Sequence, residues 1–86
     1  MYLHLGQSVM VPTESILGIF DLDNTTWSHR TRSFLEQAEQ EGRLTVVGDD
    51  LPRSFVLCQE GDQVMVYISQ VNTATLYRRA ENESFE

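Results

Sequence analysis

Two aspartates one residue apart, Asp21 and Asp23, sit where an apolar run turns polar: Ile19-Phe20-Asp21-Leu22-Asp23-Asn24-Thr25. A carboxylate can attack phosphorus, a neighbouring carboxylate can carry the proton, and a divalent cation can bridge the pair to a phosphate oxygen. A second acidic pair, Asp49-Asp50, follows Gly48. On residue types alone these are parts of a metal-assisted phosphoryl-transfer site. The simpler reading is a strand end: Asp21 and Asp23 alternate with Phe20 and Leu22 as the chain enters a polar loop. That reading is preferred, because a short motif stays a hypothesis until its structural context agrees.

The remaining reactive side chains are few. His4 and His29 lack metal-ligand spacing, and with a single cysteine no zinc site or intrachain disulfide is expected. Cys58 lies within a strand and reads as a buried small hydrophobe. His4 on the first strand reads as a packed or interface histidine. Trp27 reads as a core residue stapled onto the helix that follows it, with an interface anchor as the alternative. No metal and no cofactor is expected.

The elements that must position these residues follow from pattern. Tyr2–Leu5 and Ser8–Val11 form two short strands about a Gly6-Gln7 break, a hairpin. Pro12–Ser15 turns the chain, and Ile16–Leu22 is an apolar run of strand length. Ser28 suits a helix N-cap, Thr31, Phe34, Leu35 and Ala38 share one helical face, and Gly42 suits the C-terminal glycine. The predicted helix spans His29 to Glu41. Leu44–Val47, Ser54–Cys58 and Gln63–Ile68 are strands, the last two joined as a hairpin across Glu60-Gly61-Asp62. Asn72 caps a last helix from Thr73 to about Ala80. The order is β-β-β-α-β-β-β-α, an α+β fold with about six strands in a mostly antiparallel or mixed sheet and two helices. Residues 1–80 form a single domain and residues 81–86 a polar, frayed tail.

Size and charge bound the function. The chain has 86 residues, enough for one domain with a modest core that an oligomer interface would support. It carries thirteen acidic residues against six arginines and no lysine, a formal net charge of −7. Such a chain is not drawn as a whole to nucleic acid or to an anionic membrane; binding there needs a local arginine patch. No stretch approaches the ~18 apolar residues of a membrane span. Met1–Leu5 has neither a basic start nor a long apolar run, so no secretory signal and no membrane contact are expected, and a cytoplasmic location is.

The string Ile19–Thr25 resembles the opening motif of haloacid-dehalogenase-type phosphatases, and Gly48-Asp49-Asp50 a later acidic motif of theirs. Three features set the chain apart. Each βαβ unit of a parallel sheet takes roughly 30 residues, which leaves no room for that fold. No lysine is present to hold the phosphate. The motif strand comes first in those enzymes, whereas here a hairpin precedes it. The chain is expected not to be an enzyme.

A second resemblance spans nearly the whole chain. Met1-Tyr2-Leu3-His4-Leu5-Gly6 is followed by Val9-Met10-Val11-Pro12 and by Ile16-Leu17-Gly18-Ile19-Phe20-Asp21. Phe34-Leu35, Pro52-Arg53-Ser54-Phe55-Val56 and Thr75-Leu76-Tyr77-Arg78-Arg79-Ala80 come later. Together they resemble the bacterial extracellular matrix regulator family, in its RemB-type branch, from the first residue to about Ala80. The resemblance implies a bacterial cytoplasmic protein that assembles into a ring-like homo-oligomer. It also implies a transcriptional regulator of biofilm-matrix genes that binds double-stranded DNA. Arg53, Arg78, Arg79 and Arg32 are then the candidate phosphate contacts, which position a protein on DNA rather than read its sequence.

Each of these has a plainer reading. Arg78 and Arg79 suit the end of the last helix as partners of its dipole. Arg53 suits a salt bridge to Asp49 or Asp50. Arg30 and Arg32 stand in the first turn of their helix and Glu36, Glu39 and Glu41 near its end, both opposed to the dipole. Either pairing with Asp21 or Asp23 or a charged subunit interface answers that. One departure separates the chain from the DNA-binding branch. An arginine pair stands there in the loop before the strand that here begins at Ser54; this chain has Asp49-Asp50-Leu51, with Arg53 the basic residue that remains. Two negative charges there repel DNA, so the second reading is an acidic oligomeric adaptor acting through a protein partner.

Overall fold

The computed structural model describes residues 1–22 and 29–83. Asp23, Trp27 and the proposed Ser28 cap lie outside the described residues. The observed order is β1 (Tyr2–Gly6), β2 (Val9–Pro12), β3 (Ile16–Asp21), α1 (His29–Gln40), β4 (Leu44–Val47), β5 (Ser54–Glu60), β6 (Gln63–Ser69) and α2 (Thr73–Glu83), with a single 3₁₀ turn over Thr13–Ser15. This is the expected α+β order. The six strands divide into two sheets: the β1–β2 hairpin, and a four-stranded sheet of order β3-β5-β6-β4. β3, β5 and β6 are antiparallel neighbours, while β4 runs parallel to β6.

Alternation along β5 decides what lies on each side of the large sheet. Val56 and Cys58 face one way and join Leu3, Leu5 and Val11 of the hairpin and Leu76 of α2 in one buried cluster. Phe55 faces the other way and joins Val66 and Ala38 of α1 in a second cluster. The fold therefore has three layers: the hairpin with α2, the sheet, and α1. β5 reads as an unbroken apolar run because both of its faces are covered.

Two buried serines tie the end of the sheet to the hairpin and to the turn before α2. Ser54 and Ser69 are register partners at one end of the β5–β6 pair, and both are fully buried. The Ser69 hydroxyl donates to the Leu5 carbonyl at 2.7 Å and accepts from the Val71 backbone N–H at 3.0 Å. The Ser54 hydroxyl donates to the Val71 carbonyl at 2.7 Å.

The helix ends follow the expected chemistry with small shifts. Gly42 takes φ +75° and donates to the Glu39 carbonyl, while the Arg43 N–H reaches the Ala38 carbonyl at 2.8 Å. This pair of bonds is a Schellman ending, and it closes α1 at Gln40, one residue before the predicted Glu41. Asn72 caps α2, its side-chain oxygen accepting from the Thr75 N–H at 2.8 Å. α2 then runs three residues past Ala80, to Glu83.

Candidate functional site

Strand direction gathers the ends of β3, β4 and β6 and the start of β5 at one end of the sheet. Asp21 ends β3, Gly48-Asp49-Asp50 follows β4, and Arg53 precedes β5. β3 and β4, however, are opposite edges with β5 and β6 between them. Three strand spacings set them roughly 14 Å apart. The Asp49-Asp50 loop thus leaves the edge opposite Asp21 and turns back across the end of β6, where the Asp50 N–H meets Gln70, to reach Arg53 at the start of β5.

The loop before β5 is pinned. The Asp50 N–H donates to the Gln70 side-chain oxygen at 3.1 Å, and the Leu51 N–H donates to the Asp50 carboxylate at 2.8 Å. Gly48 takes φ +84°, a backbone conformation that favours glycine, and a Cβ there would press on the Gln70 side-chain amide. Arg53 is exposed; its N–H donates to the Ser69 carbonyl at 2.8 Å and its carbonyl accepts from Leu22 at 3.0 Å. Asp49 and Asp50 are exposed in the same loop, and Leu51 is 71% exposed.

The four candidate arginines do not come together on one surface. Arg32 is exposed on α1, which covers the Phe55 side of the sheet. Arg78 and Arg79 ride on α2, which covers the Val56 side. Arg53 stands at the sheet end between them. Arg79 serves the fold itself, since its half-buried guanidinium donates to the His4 carbonyl at 2.9 Å and ties α2 to β1. Arg78 is exposed. Among the described residues no ion pair involves Arg30 or Arg32.

The other singled-out residues take simple places. His4 donates through Nε2 to the Gln7 carbonyl at 2.6 Å and steadies the hairpin turn, where Gln7 has φ +51°. Cys58 is fully buried; burial pushes its thiol above the usual range, against a hydrogen bond with Ser15. Tyr67 donates to the Glu60 carboxylate at 2.7 Å, and desolvation with that bond raises its phenol to about 12.

Sequence reasoning passed over Arg43. Its guanidinium bonds the Glu41 carboxylate at 2.7 Å and the Val64 carbonyl at 2.7 Å, and lies 6.0 Å from the Phe34 ring centre. Hydrogen bonds from Gln37 and then Arg43 hold the exposed Glu41 carboxyl below its usual range. Its position directly after a helix-ending glycine was the available signal.

Among the described residues no group of three or more His, Cys, Asp or Glu could hold a metal ion, and no helix is long and apolar enough to cross a membrane. What is left is a small three-layer α+β domain whose surface offers dispersed charge and apolar patches. No family model matches the chain. Extracellular matrix regulatory protein B of Bacillus subtilis (strain 168) is 32% identical to it over 81 residues, spanning 94% of this chain and 91% of that protein. The chain belongs to the extracellular matrix regulatory protein B family.

Proposed function

We propose that this protein regulates production of the bacterial extracellular matrix from the cytoplasm, that it works as a homo-oligomer, and that it acts through protein contacts rather than by gripping DNA. The matrix role rests on the name of the relative, with identity that extends over nearly all of both chains. The mode of action rests on one observation: the arginines are dispersed over two opposite sides and one end of the sheet. The chain carries a net charge of −7, so each dispersed arginine sits in an acidic field. The exposed Asp49-Asp50 pair beside Arg53 works against phosphate contact at the loop where it would be expected.

A second reading, direct binding to double-stranded DNA, is favoured by the exposure of Arg32, Arg53 and Arg78. An oligomer would repeat each of them by symmetry, and weak sites so repeated gain from effective concentration.

A mobility-shift experiment with AT-rich duplex DNA at low and raised salt, with mass measured by light scattering in the same buffers, separates the two. The adaptor reading expects an oligomer that leaves the DNA unshifted even at low salt. A salt-sensitive shift, weakened by Arg53→Ala with Arg78→Ala, overturns it in favour of DNA. A monomeric mass overturns the oligomer in either reading.

A further inference from the structure

Among the described residues α1 packs mainly on β4 and β6 and leaves the β3 side of its face uncovered. Along that side runs an apolar groove of about 260 Å³. Phe20, Phe55 and Leu57 supply its floor from β3 and β5, Phe34 and Thr31 its wall from α1, and Arg30 its one charged group.

The floor is built rather than incidental. Phe20 and Phe55 are register partners on neighbouring strands, and their rings stack with centroids 4.9 Å apart and planes 17° from parallel. Phe20 remains 41% exposed in that stack. Gly18 makes the arrangement possible, since a Cβ at that position would come within 2.7 Å of the Phe20 ring. An ordinary side chain there would push the ring off the floor.

Sites for small molecules are apolar concavities with a few placed polar groups. Here the single charged group is a guanidinium that no described residue pairs. Arginine binds a carboxylate through two parallel hydrogen bonds and tolerates aromatic neighbours. The space is at the small end for a ligand site and suits one or two rings. We propose that this groove binds a small planar aromatic carboxylate, with its ring against Phe20, Phe55 and Phe34 and its carboxylate on Arg30. The proposal is independent of whether the protein acts through protein or DNA contacts; it gives the regulator a chemical input.

2-Naphthoate is a suitable probe and 2-naphthalenemethanol its uncharged control, followed by NMR titration of the full chain. Saturable shifts centred on Phe20, Thr31, Phe34 and Leu57 are expected with the acid, and binding about ten- to a hundred-fold weaker with the alcohol, the span a charged hydrogen bond supplies. Arg30→Ala lies on an exposed turn, should leave the fold intact, and should bring the acid down to the affinity of the alcohol. Gly18→Ala should weaken both by displacing Phe20. Absence of saturable shifts at these residues, equal affinity for acid and alcohol, or an Arg30→Ala variant that binds the acid as well as the native protein would each overturn the proposal.

Discussion

The two sides of the large sheet are built to different standards. On the hairpin and α2 side, Leu3, Leu5, Val56, Cys58 and Leu76 are wholly buried and two buried serines have their hydroxyls bonded. On the α1 side, Ala38, Phe55 and Val66 are buried, yet Phe20 is 41% exposed and Val46, in register with the apolar Ile68, is 58% exposed. One helix cannot cover four strands, whereas a hairpin and a helix together can. The closed side carries the stability and the open side has surface to offer.

The sharpest way to break this contrast is to compare truncations. Leu5→Ala should cost about 2–5 kcal/mol, because the buried site leaves a cavity that cannot refill. Phe20→Ala should cost about 1–2 kcal/mol, since only part of its ring is withdrawn from water. Urea unfolding of both variants measures the gap; equal losses would show that the open side is as structural as the closed one.

The serine bonds give a second, smaller test. Ser69→Ala leaves the buried Leu5 carbonyl without its donor and should cost about 1–3 kcal/mol by the same assay. A loss within error would mean that the Ser69 bond adds nothing to the apolar contacts and the Arg79–His4 bond that also hold the hairpin.

A third test uses alkaline pH and acts through Tyr67, which joins the partly buried flank of the closed cluster. Its folded-state pKa is raised to about 12 from an ordinary value of 10.0, so the neutral phenol is the form that the fold favours. Its share of stability is fully present below pH ~10 and is lost as pH rises toward about 12. Tyr67→Phe should flatten that limb in thermal unfolding followed from pH 8 to 12, and an unchanged limb would assign it elsewhere.

The smallest effect belongs to the edge of the open side. The Glu41 carboxyl is held below its usual range, so its contribution is present above the ordinary carboxylate range and fades as pH falls through the folded value. The group is exposed, so Glu41→Gln should move the acid unfolding midpoint only slightly, and a large movement would mark the α1 terminus as more buried than it looks.

Local pattern made the elements legible and left their partnership obscure. Asn72 and Gly42 announce helix ends because capping is chemistry between near neighbours, and the strand runs are set by residue type. Nothing local says that β4 skips β5 to lie parallel beside β6, or that β3 and β4 form opposite edges. The phosphatase-like string could be judged from the sequence by size, by composition and by the hairpin that precedes it. The arginines show the same limit: Arg78 and Arg79 look like a pair in sequence, yet Arg79 is spent on the His4 carbonyl. The groove was hidden because its floor joins Phe20 to Phe55 across the whole of α1 and β4, and because Gly18 reads as one more member of an apolar run.

The bonds from Ser69 to Leu5 and from Arg79 to His4 span 64 and 75 positions of sequence. They close the chain into a loop whose first strand is finished by its last helix. The Leu3, Leu5 and Val11 side of the hairpin therefore gains its Leu76 cover only when α2, far along the sequence, is in place. Long-range closure of this kind slows folding and leaves the uncovered surface open to wrong partners. The cover of the hairpin thus depends on contacts between distant parts of the sequence, the kind whose closure costs the most chain entropy.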